Sequence, residues 1–190
     1  MTTYENHFLI AMPELQEQLF ESSVIYLMHH DKDGAMGFII NVPLSPNLSD
    51  LFSKMDIKKN QGKSSSKLLN QKIMLGGPVQ QESGYILHTK SDIKFNAVKK
   101  LNPNLFLTTS RDILENLGKD KSPEKVLIAL GYAGWGPGQL EKEIQENSWL
   151  VAPFSENILF DLPTDQRWKS ALASIGVKDV NHLSGLSGHD

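Results

Sequence analysis

The residues with the most chemical promise lie in a glycine-rich stretch, Gly131-Tyr132-Ala133-Gly134-Trp135-Gly136-Pro137-Gly138, set between an apolar run and a segment of helical pattern. Read as a turn entering a helix, this stretch presents unpaired backbone N–H groups that can hold an anion, so the chemistry on offer is recognition of a negatively charged or phosphate-bearing ligand. Glu141 sits in the first turn of the helix that follows and is the one carboxylate placed to border such a ligand; Glu143 and Glu146 alternate with Lys142 as a solvated face. Neither nucleotide-binding pattern is complete. There is no Gly-Lys-Ser/Thr, and Gln139 stands where the last glycine of GxGxxG belongs. The plainer role of these glycines is a tight turn that lets Trp135 pack. A second pair, Gly76-Gly77, punctuates two strand-like segments and is followed by His88, so the candidate ligand-binding set is Gly76, Gly77, His88, Gly134, Trp135, Gly136, Gly138 and Glu141.

Other constellations fail at the level of spacing. His29 and His30 are neighbours on a strand and must point to opposite faces, and His7, His29 and His88 carry no His-x-His or HExxH pattern, so no metal site is expected. Ser22, Ser23, Ser83 and Ser187 lie outside any G-x-S-x-G and read as caps and turns. No paired-carboxylate arrangement stands out. The motifs therefore point to no catalytic residue and no cofactor.

Composition narrows the partners. With 19 Lys and Arg against 22 Asp and Glu the formal charge is −3, which repels nucleic acid and anionic membranes unless a local basic patch intervenes. Only Arg111 and Arg167 are arginines, the side chain best shaped to read guanine or phosphate. The lysines at 54, 58, 59, 63, 67 and 72 form the one basic cluster, yet no aromatic residue lies between Phe52 and Tyr85 to stack bases. Sequence-specific DNA reading is not expected. The absence of cysteine removes disulfides, thiolate zinc sites and cysteine nucleophiles. Residues 1–14 show no basic leader and only a short apolar run, so the chain reads as cytoplasmic and without a membrane segment.

The elements that must position these residues follow from hydrophobic pattern. At 190 residues one domain suffices. Residues 8–12 and 23–30 read as strands, and Asp31-Lys32-Asp33-Gly34 turns the second into 35–42, giving a hairpin with apolar residues on both faces. Such a hairpin belongs at the centre of a covered sheet, with Ile25, Leu27, Phe38 and Ile40 buried. Pro46-Asn47 reads as a turn before a short helix capped by Asn47 or Ser49. Residues 58–70 read as a flexible polar loop, and deleting Asn60–Lys67 should leave stability almost unchanged. Strands are expected at 72–75, 85–88, 105–108, 125–130, 149–152 and 158–160. Helices are expected at 112–117, capped by Ser110 or Asp112, at 139–147, and at 165–175, capped by Thr164; residues 183–190 read as a frayed tail. Hairpin-linked and helix-linked strands in one chain predict a mixed sheet in a single α/β domain of α+β character, with helices on its flanks.

Three motifs, SSVIYLMHHDKDGAMGFIINVPL at 22–44, LGGPV at 75–79 with Gly84 and His88 after it, and LGYAGWGPGQLEKEIQENSWL at 130–150, together with NHFLIAMP at 6–13, resemble the YqgE/AlgH family of bacterial proteins. The resemblance implies a compact α/β fold. It brings no assigned activity, cofactor or catalytic residue, and the transcriptional-regulator label carried by part of the family comes without a DNA-binding motif. The expectation is a regulatory or adaptor protein acting by protein or small-molecule binding, with an enzyme of unknown class as the rival and a DNA-binding regulator last. Gathering of His29, His88, Glu141 and both glycine stretches around one cleft would favour a ligand site; scattering would favour an interaction surface.

Overall fold

The apolar arms of segment 23–42 do form a hairpin at the middle of a ten-stranded sheet. β2 (Val24–Asp31) and β3 (Gly34–Ile39) pair antiparallel, Asp31 facing Gly34 across a turn at Lys32-Asp33. In this computed structural model the described residues are 3–13, 15, 18–58 and 68–177, and the expectations for residues 59–67 of the polar loop and for the 183–190 tail lie outside them.

β1 (His7–Ala11) and β10 (Trp149–Pro153) extend the sheet beyond β2; β9 (Val126–Trp135), β6 (Val79–His88), β8 (Phe106–Thr108) and β7 (Val98–Lys100) extend it beyond β3. Along one edge β9 has two successive neighbours. Its first half pairs parallel with β5 (Lys72–Leu75), its last residues pair antiparallel with β3, and the handover falls at Gly131-Tyr132. β5 in turn pairs with β4 (Pro43–Asn47). The mixed sheet is as expected, since hairpins and a crossover coexist.

Strand alternation divides the apolar residues between two faces, and the curl of the sheet makes three clusters of them. Phe8, Ile10, Tyr26, Phe38, Leu87 and Leu127 face inward with Leu172 of α4 (Thr164–Ser174). On the back of the first half, Leu9, Ile25, Leu27 and Ile39 meet Leu140 of α3 (Gln139–Gln145). On the back of the second half, Ile73, Ile86 and Ile128 meet Phe52 of α1 (Leu48–Lys54) and Ile113 of α2 (Asp112–Asn116). Ile25, Leu27, Phe38 and Ile40 are all 0% exposed, which confirms the two-sided burial read from the hairpin. Asn47 caps α1 through a reciprocal capping box with Asp50.

Several local expectations are corrected. Pro46-Asn47 is the end of β4 rather than a free turn; this short strand tolerates its prolines because it pairs with only one neighbour. No side chain caps α2, whose N-cap position is Arg111, because Ser110 Oγ bonds Asp112 instead. Residues 158–160 are not a strand: Asn157–Asp161 is one wide helical turn that buries Ile158 and Leu159. Thr164 is the first residue of α4, behind Pro163, and does not cap it. Most consequential for function, residues 131–135 are not a turn but the second half of β9, so only Gly136-Pro137-Gly138 separates strand from helix.

Candidate functional site

The structure scatters the sequence-derived candidates instead of gathering them. Gly76 and Gly77 sit at the handover on β9, where three backbones converge. Gly76 N–H donates to Leu130 O at 2.7 Å and Gly76 O accepts from Ile39 N at 2.8 Å. A Cβ on Gly76 would lie 2.2 Å from Gly131 O, and one on Gly77 2.1 Å from the Tyr132 carbonyl carbon. Gly131 is held at φ +71, with Gly77 O 2.5 Å and Val79 O 2.8 Å from its own missing Cβ. These three glycines exist because backbone lies where side chains would be. Opposite Gly131, residues 80–83 bulge out of β6 between the Val79–Tyr132 and Gly84–Leu130 pairs, with Gln80 at φ +49.

His88 lies at the other end of β9, paired with Val126, up to roughly 30 Å from Trp135 at about 3.3 Å per residue. Its Nδ1–H donates to Thr89 O at 2.7 Å, so Nε2 accepts from the Thr108 hydroxyl at 2.8 Å. A hydroxyl aimed at an imidazole is the geometry of an activated nucleophile. Here both residues are buried, at 2% and 0% exposure, under Phe95 and Phe106, so no substrate reaches them. Burial pushes the His88 imidazole below its usual range.

Glu141 is spoken for. β2 carries a bulge between Leu27 and His29, and the extra residue resets the alternation, so His30 turns to the face covered by α3 while His29 points away from it. His30 Nδ1 accepts from Tyr4 N at 3.0 Å and Nε2–H therefore donates to Glu141 Oε1 at 3.1 Å, with the Tyr4 ring stacked 5.4 Å away. Glu143, read as part of a solvated face, instead accepts from both indoles: Trp135 Nε1 and Trp149 Nε1 each lie 2.8 Å from Oε2, and Gln139 Nε2 lies 2.8 Å from Oε1. Trp135 and Trp149 thus pack together in the second cluster, 8% and 2% exposed. At the turn, Gly136 N–H donates to Gln139 Oε1 at 3.0 Å, so the side chain that breaks the GxGxxG pattern fills the place a ligand oxygen would take. Gly138 supplies a left-handed φ of +73 before α3.

A groove of about 540 Å³ opens at the hairpin tip, lined by His29, Asp31, Asp33, Met36, Val79, Tyr132, Gly134 and Gly136, among others. The 31–34 turn and Gly134 meet there because β3 pairs with the end of β9, Ala35 opposite Trp135. Asp31 accepts from the Asp33 amide at 2.8 Å and from His29 Nε2 at 3.0 Å; the amide first, and His29 beside it, hold its carboxyl below the usual range. Asp33's carboxylate has no partner among the described residues. Tyr132 stands edge-on to Tyr85, 6.0 Å between centroids, and Tyr85 bonds Gln80 on the neighbouring bulge. Gly134 needs no positive φ, and its missing Cβ would meet nothing nearer than Tyr132 Cε2 at 3.4 Å. Of this groove, the sequence points to His29, Gly134, Trp135 and Gly136; Asp31 and Asp33 read there only as turn residues, and the strand pairing that joins them to Gly134 leaves no local signal.

Fold and site together define a class: an α+β domain built on one curled mixed sheet, with His30, Glu141 and Glu143 engaged internally and a groove at the tip of its central hairpin. The chain belongs to the AlgH-like family, whose model matches residues 8–179. A UPF0301 protein of Shewanella sp. strain ANA-3 is 44% identical over 189 residues, and one of Shewanella putrefaciens strain CN-32 is 46% identical over 189, each comparison covering 100% of both chains. The solution structure of the AlgH protein from Pseudomonas aeruginosa superposes with a TM-score of 0.76 at 38% identity, covering 100% of this chain and 97% of that one. Protein DIP2367 from Corynebacterium diphtheriae shares the fold, with a TM-score of 0.69 at 18% identity over 94% of this chain and 91% of that one. Among the described residues no helix is long and apolar enough to cross a membrane, and no group of three or more His, Cys, Asp or Glu side chains could hold a metal ion.

Proposed function

We propose that this protein is a cytoplasmic regulatory or adaptor protein that acts by binding, and that the groove at the hairpin tip is where it binds. The observation that carries the reading is Gly134. A glycine inside a strand destabilises it by roughly 0.5–1 kcal/mol relative to alanine, and neither backbone conformation nor packing calls for one at this position. A bare strand surface beside a groove is what close approach by another molecule requires. The alternative of an enzyme acting on an anionic ligand at 131–138 draws no support from the geometry: the Gly136 amide is taken by Gln139, Glu141 by His30, and the groove rim carries Asp31 and Asp33. The same carboxylates and the net charge of −3 disfavour duplex DNA.

The test is native mass spectrometry of the full chain purified from its own host, as wild type and as Gly134→Val. The expected result is a bound species retained by the wild type and lost from the variant, whose melting temperature is no lower than that of the wild type. A species retained equally by both places the binding surface elsewhere.

A further inference from the structure

Resting on the groove as the binding surface, its chemistry narrows what can occupy it. Its lining contributes two carboxylates, Asp31 and Asp33, and neither lysine nor arginine. Glu5 lies 3.6 Å from His29 on the same rim, and Glu82 is close enough to Tyr85 to help raise its phenol above the usual range, after burial and Tyr132. Asp31 is already engaged by His29 and the turn amide, whereas the Asp33 carboxylate meets no partner among the described residues. Across the floor, Met36, Val79 and the bare backbone of Gly134 give a narrow apolar strip beside the Tyr132 ring, and Val79 is 38% exposed. The occupant therefore carries a positive head and a slender apolar stem.

We propose that the groove receives an arginine side chain presented by a basic segment of a partner protein: the guanidinium pairs with Asp33, its plane lies against Tyr132, and its methylene stem runs over Gly134. Guanidinium suits each feature, since its planar fork matches a carboxylate, it stacks on aromatic faces, and its stem covers apolar surface. Lysine offers a point charge and no plane. The groove is open along its length, whereas a site for a free small molecule buries most of its ligand. A side chain delivered from a larger partner, which covers the rest, fits that shape.

The experiment is an amide NMR titration of the 15N-labelled full chain with four probes: the blocked tetrapeptides Gly-Arg-Arg-Gly, Gly-Lys-Lys-Gly and Gly-Glu-Glu-Gly, and free arginine amide. The arginine peptide should shift the amides of Asp33, Val79, Gly134 and Gly136. It should bind several-fold more tightly than the lysine peptide or arginine amide, and the glutamate peptide should leave these amides unmoved. Asp33→Asn should weaken the arginine peptide by about tenfold or more, the loss of one charge-assisted hydrogen bond, and Gly134→Val should weaken it while the rest of the spectrum stays native. Equal binding of the lysine peptide overturns the guanidinium assignment, and equal binding of arginine amide overturns delivery by a partner. No shift with any cationic probe overturns the proposal outright. If in that case the host-purified wild type still retains a species that Gly134→Val loses, the groove stands as the binding surface and only its assigned occupant falls.

Discussion

At Gly77 an added Cβ would sit 2.1 Å from the carbonyl carbon of Tyr132, while at Gly134, two residues beyond Tyr132 on the same strand, it would touch only a ring edge at 3.4 Å. The two positions look alike in sequence, each a glycine in a glycine-rich motif. Physically they are opposites. Gly76, Gly77 and Gly131 are demanded from inside, at the point where β9 exchanges β5 for β3 and three backbones must pass within hydrogen-bonding distance. Gly134 and Gly136 have space around them, with Gln139 Oε1 at 3.9 Å the nearest atom to a Cβ on Gly136. A glycine that the fold requires reports on folding; one that it does not require reports on something outside the fold.

The sharpest way to break this comparison is Gly77→Ala. The methyl group would overlap Tyr132 backbone atoms at 2.1 and 2.2 Å, at a φ of +157 that alanine rarely adopts, and backbone cannot step aside as a flexible side chain can. We expect a loss exceeding about 4 kcal/mol, or failure to fold, measured by urea denaturation. A loss under about 1 kcal/mol would show that the junction yields, and the structural reading of the 75–79 motif would go with it.

Hydrophobic pattern made the hairpin legible because each strand of 23–42 carries apolar residues on both faces, which only a covered central position accommodates. Alternation also separated His29 from His30. What the pattern could not reveal was pairing between distant segments. Residues 131–135 contain two glycines, which suit a turn better than a strand, and only the neighbours β3 and β6, supplied from far along the chain, make them a strand. The same non-local pairing brings Asp31 and Asp33 to Gly134. The β2 bulge that sends His30 to Glu141 adds one residue and leaves no composition signal. Glu143 reads as solvated for a related reason: a helix face looks solvated until the strands beneath it are seen to present two indole N–H groups.

Next in size is Glu143→Gln, which probes whether the strand end beside the groove is rigid. The carboxylate takes three donors, two of them on buried tryptophans. An amide keeps one acceptor and sets its NH2 against a donor, so we expect a loss of about 1–3 kcal/mol and a change in indole emission from Trp135 and Trp149 together. Trp168, bonded to Ala11 O instead, should not report it. Emission changing at one indole only would dissolve the shared anchor.

At the far end of β9 the test is pH. Burial lowers the His88 pKa from 6.5, so the unfolded chain binds the proton more readily than the fold does. Stability from this group is complete above pH 6.5 and is lost as pH falls beneath it toward the folded value. The urea midpoint should decline over that range, and His88→Gln should flatten the decline. An unchanged slope would mean that the imidazole is accessible after all, reopening the His88–Thr108 pair as a second functional region.

The smallest effect bears most directly on the comparison. Gly134→Ala adds a methyl group where 3.4 Å of clearance exists and where the backbone needs no left-handed φ. Replacing glycine in a strand removes conformational freedom from the unfolded chain without straining the native one, so the substitution should raise stability by about 0.4–1 kcal/mol. That sign is the point. Gly77→Ala and Gly134→Ala are the same chemical change on adjoining backbone, and the expectation is that they move the urea midpoint in opposite directions. Were Gly134→Ala destabilising by more than about 1 kcal/mol, Gly134 would join Gly76, Gly77 and Gly131 as a residue kept for folding. The groove would then lose the observation that marks it as a binding surface. If the variant is instead more stable yet defective in the cell, the glycine is retained against stability, and the reason lies in what passes over it.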